Sequence, residues 1–292
     1  MHIPVLPEEV GKYLSPQPNE NFIDCTFGNG GHALAILEKI APQGKLLGIE
    51  IDSELCQKFI SRTSKQDRLT LINDSYTNLP NIIQKRNFQP VNGILFDLGM
   101  SSWHLEESKK GFSFQKDEPL DMRYSRNNSL VALEIVNNFS ESEIKKILEE
   151  YGQERFSERI AREIIRQRRI KPIRSTFQLV EIIRRAVPQW YRRQRIHFAT
   201  RTFQAIRIVV NDELSNLEQS LSRALEALSE NGRLGVISFH SLEDKIVKDF
   251  LKAKQKEGLL RILTKKPVTP QKEEIKINKR SRSAKLRAAV KI

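Results

Sequence analysis

Short apolar runs alternate with helix-spaced apolar positions through the first hundred residues. Asn21-Phe22-Ile23-Asp24-Cys25-Thr26 reads as a buried strand. Lys45 to Glu50, Leu69 to Asn73 and Val91 to Asp97 read as three more. Between the first two lies a glycine-rich turn, Phe27-Gly28-Asn29-Gly30-Gly31-His32, and then helical spacing from His32 to Ile40. Ser53 is placed to cap a helix over Glu54 to Ile60. Strands that alternate with helices predict an α/β fold whose parallel sheet is covered on both faces.

The alternation stops near Leu105. From there to Arg195 the pattern is helical and holds no buried strand. Ser140-Glu141-Ser142-Glu143 opens a helix through Ile144, Ile147 and Leu148, with the carboxylate three residues after the serine. Further helices are expected over about Glu154 to Arg169 and around Phe177 to Ala186. Leu214, Leu217, Leu221, Leu225 and Leu228 then form one helical stripe that ends at Asn231-Gly232. Leu234 to Phe239 is a fifth buried strand, followed by a helix near Leu242 to Ala253. The expectation is one α/β domain made of residues 1–104 and 196–292. A helical domain, 105–195, is inserted between its fourth and fifth strands. Ser281 to Val290 is expected to add a final edge strand, and no internal repeat is visible.

Composition narrows the partners. No apolar run reaches the roughly 18 residues of a membrane span. Met1 to Glu9 has neither the basic nor the apolar region of a signal peptide. Cys25 and Cys56 offer no disulfide framework and no zinc spacing, so no metal site is expected and the compartment is taken as cytoplasmic. Net charge is +13. It is concentrated: Glu154 to Arg207 holds 15 basic and 4 acidic residues, and Lys276 to Ile292 holds 7 basic and none acidic. Such patches suit a polyanion. Arg155, Arg159, Arg162, Arg166 and Arg169 are spaced to share a helix face beside Phe156, Ile160 and Ile164. Glu154, Glu158 and Glu163 can neutralise only part of that face. Arg184, Arg185, Arg192, Arg193 and Arg195 surround Trp190 and Tyr191, a mixture of guanidinium and aromatic faces suited to splayed bases. Arg159, Arg162, Arg166, Arg192 and Arg193 are the RNA-binding candidates.

Chemistry enters at the glycine turn. Gly28, Gly30 and Gly31 let the backbone turn sharply and approach a ligand. Glu50 stands at the end of the second strand, where a carboxylate can accept from ribose hydroxyls. Asp24, Glu50, Asn73-Asp74 and Asp97 all fall at carboxyl ends of strands, the ligand edge of an open α/β sheet. A tight turn with a capping acid explains the first pair alone, but not four such positions. The pattern serves dinucleotide enzymes and methyltransferases alike. Ala33 breaks the dinucleotide glycine signature, and Asp24 puts an acid where that signature has an apolar residue. An acid there can hold the amino group of a methionine moiety, which favours S-adenosylmethionine.

Longer motifs are more specific. They are His2 to Leu6, Asp24 to His32, Asp97-Leu98-Gly99-Met100-Ser101-Ser102, Gly111 to Phe114 and Pro119 to Arg123. They continue with Ala199 to Ala205, Ser238 to Asp244 and Arg282 to Arg287. In this order and spacing the chain resembles the bacterial 16S ribosomal RNA cytosine-N4 methyltransferases, the MraW family, over nearly its whole length. The resemblance implies a Rossmann-like class I methyltransferase core with an all-helical insertion. It implies S-adenosylmethionine as cofactor, held through Gly30, Gly31, His32, Glu50, Tyr76, Asp97 and His104. It also implies 16S rRNA, within the small ribosomal subunit, as substrate, with methylation at N4 of a decoding-centre cytidine. Glu50 stands where the family has Asp, His104 where it has Gln, and Phe198 where it has Pro.

Asp97 is the catalytic candidate, because a carboxylate accepting N–H bonds from the exocyclic amine returns electron density to nitrogen. Cofactor orientation is the equal alternative for that residue. Methylation at C5 would need a thiolate, and neither cysteine lies beside the Asp97 segment. Ser238-Phe239-His240 reads as a pocket wall and not as a hydrolytic relay. The segment after Asp97 lacks the Pro-Pro-aromatic sequence of DNA amino-methyltransferases. A non-catalytic RNA-binding factor on the same fold is the remaining rival, and the intact glycine turn with its strand-end acids argues against it.

Overall fold

The structure is a computed structural model that describes residues 4–63 and 66–292, with backbone only for 61–63. The His2-Ile3 start of the first motif lies outside the described residues. In chain order the first segment gives α1 (Pro7–Leu14), β1 (Phe22–Asp24), α2 (Gly31–Lys39), β2 (Leu46–Glu50), α3 (Ser53–Thr63), β3 (Leu69–Asn73), α4 (Leu79–Arg86) and β4 (Gly93–Asp97). A helical stretch follows: α5 (Ser102–Glu106), α6 (Ala132–Asn138), α7 (Glu141–Glu150), α8 (Ser157–Arg168), α9 (Thr176–Ala186), α10 (Gln189–Arg192) and α11 (Thr200–Asn211). The chain ends with α12 (Glu213–Ala227), β5 (Arg233–Ser238), α13 (Ser241–Lys256), β6 (Leu260–Ile262), α14 (Lys272–Ile277) and β7 (Lys285–Lys291).

Two compact units result: Met1–Gly99 with Leu214–Ile292, and Met100–Glu213. The first holds a seven-stranded sheet of order β3-β2-β1-β4-β5-β7-β6. β1 to β5 are parallel, whereas β7 runs antiparallel to both β5 and β6. Alternate strand residues point to opposite faces. Ile23, Leu47, Ile94 and Val236 enter the core under α4, α12 and α13. Phe22, Leu46, Leu95 and Ile237 enter the core under α1 and α2. Both faces are therefore apolar, as a parallel sheet requires. Order reverses between β1 and β4, so the crevice at their carboxyl ends is where such a sheet binds ligands.

The second unit is helical, and among its described residues the only β pairing is one isolated bridge, Pro119 with Ser175. The expected cap of α7 is present: Ser140 accepts from the Glu143 N–H, and the Glu143 carboxylate accepts from the Ser140 N–H. Its core joins Ile144, Leu148, Ile160, Ile164, Leu179 and Ile183.

Several expectations are corrected. The second unit spans 100–213 and not 105–195, because α11 sends Phe203, Ile206 and Val210 into its core and packs on α6 and α7. The basic final strand is not an edge: β6 lies outside it. Asp52, not Ser53, caps α3, its Oδ1 accepting the Glu54 N–H at 2.9 Å. Arg155 lies in the turn ahead of α8 and is not part of the helical stripe.

Candidate active site

The glycine turn is built by its own geometry. Gly28 (φ 54°) and Gly30 (φ 76°) adopt the left-handed conformation that side chains disfavour. A Cβ on Gly30 would lie 2.9 Å from the Phe27 ring, beneath the turn. Glu50 fastens this loop to β2, with Oε2 accepting the Gly28 N–H at 2.9 Å and Oε1 accepting the Asp52 N–H at 2.9 Å. Thus the acid expected to meet a ribose also orders the turn beside it.

Asp24 is buried, with Oδ1 accepting the Thr26 N–H at 3.1 Å. Thr26 Oγ in turn accepts the Asp97 N–H at 2.6 Å. One threonine thereby couples the ends of β1 and β4, a role that its sequence position does not advertise. Asp97 Oδ2 lies 3.7 Å from His32 Nε2 at the start of α2. Asp97 Oδ1 is buried and has no hydrogen-bond partner among the described residues.

The energetic consequence is a site short of positive charge. No Lys or Arg among the described residues pairs with Asp24, Glu50 or Asp97. Burial pushes Asp24 up to about 6 and Glu50 up to about 7, in both cases against the hydrogen bonds they accept. Burial also holds Asp97 well above the usual carboxylate range, reinforced by the charges of Asp24 and Glu243. Glu243 belongs to the same unit; its Oε2 accepts the Phe239 N–H at 2.7 Å as part of the α13 cap. An organic cation carrying N–H and O–H donors fits Asp24 and Glu50, since it would supply a positive charge that offsets their burial.

The other candidates are distributed as follows. Tyr76 follows β3 and packs edge-on against Phe96 of β4, with centroids 5.5 Å apart. His104 belongs to the second unit, where it is buried against Trp103, Phe112 and Tyr124. Its Nδ1 lies 2.9 Å from Ser101 Oγ in the cap of α5. His240 Nε2 faces Glu243 at 3.1 Å, while Ser238 Oγ donates to the Lys285 carbonyl. These contacts direct Ser238 and His240 to different partners. Both cysteines are buried; burial raises Cys56 to about 11 and holds Cys25 well above its usual value.

In the second unit the arginines divide. Arg162 pairs with Glu158 at 2.8 Å and lies 3.7 Å from Glu141. Arg166 forks onto Glu163, and Glu181 takes both Arg184 and Arg185. Arg192 donates to the Val187 carbonyl. Glu154 is no surface counter-charge, because it is buried and accepts the Tyr191 hydroxyl at 2.7 Å. Arg155, Arg159, Arg193 and Arg195 are exposed and have no carboxylate partner among the described residues.

The strand order, the single antiparallel strand and the acids at the β1, β2 and β4 ends define a Rossmann-like methyltransferase core. Sequence comparison is more specific. The model of the MraW methylase family matches residues 1–292. A protein of Heliobacterium mobile named "Ribosomal RNA small subunit methyltransferase H" is 45% identical over 309 residues, covering 100% of this chain and 99% of its own. One of the same name from Thermosipho africanus is 47% identical over 292 residues, covering 100% and 98%. The chain belongs to the MraW methylase family. A solved methyltransferase from Streptococcus mutans, in complex with SAH, is similar at 13% identity and TM-score 0.46, with both chains fully covered.

Proposed function

We propose that the chain methylates N4 of a decoding-centre cytidine in 16S ribosomal RNA, using S-adenosylmethionine. Support for the substrate comes from the small-subunit methyltransferase relatives and from the long motifs shared with that family. Support for nitrogen over carbon comes from the cysteines, which are buried and held as thiols, so no thiolate is available for attack at C5.

The cofactor supplies, when bound, a methyl group made electrophilic by its sulfonium. Glu50 would hold its ribose hydroxyls, Asp24 its amino group, and the Gly28 to His32 turn its backbone-facing side. Asp97 would accept N–H from the cytidine amine through the Oδ1 that now lacks a donor. A carboxylate held above its usual range is also a better proton acceptor. The cofactor would supply its methyl group to the amine nitrogen and leave as the neutral thioether. The proton lost from nitrogen passes to Asp97 and on to water. His32 Nε2 faces that carboxylate at 3.7 Å. The bulk of the rate gain is alignment of an in-line attack, worth up to about 7–11 kcal/mol. The helical unit would grip the RNA through Arg159, Arg193 and their neighbours, and the reaction belongs to the cytoplasm.

The observation that carries this reading is the donor-less Asp97 oxygen beside two buried acids that have no Lys or Arg partner among the described residues. Small subunits from cells lacking the protein, incubated with it and methyl-labelled S-adenosylmethionine, should yield N4-methylcytidine at one decoding-centre position by mass mapping. Label at C5 or at another base would overturn the assignment.

A further inference from the structure

Trp190 has a place in the fold that the methyl-transfer chemistry does not use. It sits on the four-residue helix α10, and 51% of it is exposed. A single exposed ring is ordinary on a protein surface; what marks this one is the set of groups around it. The ring is not loose. Tyr191 and Phe156 meet it steeply, at 85° and 63°, with centroids 5.8 Å away in each case. Tyr191 is buried and tied through its hydroxyl to buried Glu154. The other Glu154 oxygen accepts the Phe156 N–H at 2.9 Å. One interior carboxylate therefore fixes both aromatic neighbours and the turn that presents Arg155.

Arg155 lies over the Trp190 ring at 4.9 Å and over Phe156 at 5.5 Å, and Arg159 lies over Phe156 at 5.7 Å. Neither has a carboxylate partner among the described residues. Arg193 and Arg195, a few residues on, are exposed and equally unpaired. The adjoining helix arginines, by contrast, are held by glutamates one turn away. Positive charge is thus left unneutralised beside a half-exposed flat ring.

We propose that Trp190 and Arg155 form a stacking platform for one unpaired base of single-stranded RNA, with Arg159, Arg193 and Arg195 contacting the flanking phosphates. Indole and guanidinium planes stack on any base, so the platform reads an unpaired strand and not a sequence. Its occupant is an unpaired nucleotide of the substrate RNA. The inference rests on the RNA-methylation reading above, but it predicts a separate observable.

Trp103, the other tryptophan, is buried. Its replacement by Phe leaves Trp190 as the sole tryptophan in the full chain, excited selectively on the red side of tyrosine absorption. Titration of this W103F protein with a mixed-sequence twelve-nucleotide RNA, without cofactor, should quench the emission and shield it from acrylamide. W190A should weaken RNA binding roughly 5- to 100-fold, the range for loss of one stacked base. W190F should recover most of that loss. W190A should leave the slope of affinity against salt unchanged, whereas R155Q should reduce it by about one ion. Melting curves and S-adenosylmethionine affinity matching the parent would exclude misfolding. RNA that binds without altering Trp190 emission, or that binds W190A as tightly as the parent, would overturn the platform. If such a chain still methylates ribosomal RNA, the reading beneath it stands. A chain that neither binds RNA nor methylates it would bring down both, and would leave the patch as a protein-docking surface.

Discussion

The two units handle charge in opposite ways. The first buries Asp24 and Glu50, half-buries Asp97, and among the described residues gives them no basic partner beyond a histidine 3.7 Å from Asp97. The second neutralises much of its arginine surface with glutamates one turn away, and leaves a few guanidiniums resting on aromatic rings. A small cation is recognised by a few desolvated charges of fixed geometry, which salt barely screens. A polyanion is recognised by exposed charges whose counterions are released, which salt screens strongly. Cofactor affinity should therefore be nearly flat with ionic strength, and RNA affinity steep.

The largest effect that could break this contrast is at Asp97. Asp97→Ala should lower the rate of methyl transfer by at least about a hundredfold, the usual worth of a positioned acid–base group. Single-turnover kinetics with the RNA saturating would detect it, and a rate within threefold of the parent would return Asp97 to a structural role.

Next in size is pH. Asp24 and Glu50, raised to about 6 and about 7, bind protons in the free folded protein that their unfolded counterparts have already lost near pH 4. The ligand-free protein should thus lose stability as pH rises from about 4 to 7, and change little above that. A bound cation favours the ionised acids, so cofactor binding should release protons and tighten by about tenfold between pH 5.5 and 8. Calorimetry in buffers of different ionisation enthalpy measures the protons directly. Uptake in place of release would contradict the acid cluster as drawn. Asp24→Asn should raise the melting temperature of the free protein at pH 7.5 while weakening the cofactor.

Gly30→Ala is the intermediate case. A side chain at φ 76°, with its Cβ 2.9 Å from the Phe27 ring, should cost about 1–3 kcal/mol of stability. Chemical denaturation measures this loss. The smallest effect sharpens the RNA side: Arg159→Glu should weaken RNA binding several-fold more than Arg162→Glu, because Arg162 is already held by Glu158. Equal losses would mean that the local ion pairs open freely on binding.

Much of this architecture is legible in the amino-acid sequence. β1 to β5, the glycine turn and the strand-end acids follow from short apolar runs between helix-spaced segments, because both sheet faces are buried and the site lies on the sheet's ligand edge. β6 is not legible, since an exposed Arg261 interrupts Leu260 and Ile262 and leaves no continuous apolar run. The interior position of β7 depends on antiparallel pairing with β5, and no local signal carries that. Helix α11 has helical spacing wherever it packs, so its membership in the second unit is a tertiary fact. Among the site residues, Thr26 and Glu243 act through bonds to other strands' backbone or through charge, and a sequence pattern does not encode such partners. Glu154 misleads for a similar reason: its partner is Tyr191, 37 residues away.

The placement of the helical stretch also governs how the molecule assembles. β4 and β5 are hydrogen-bonded neighbours, Asp97 beside Ile237, yet the whole second unit is threaded between them. Helices α7 to α9 contact one another in chain order and can condense by local search. The middle of the sheet cannot, because its central pair must close a loop as long as a small domain. Refolding should accordingly run from the periphery inward, with amides of α7 and α8 acquiring exchange protection before those of β4 and β5. The ligand-binding edge would then be among the last parts of the protein to exist.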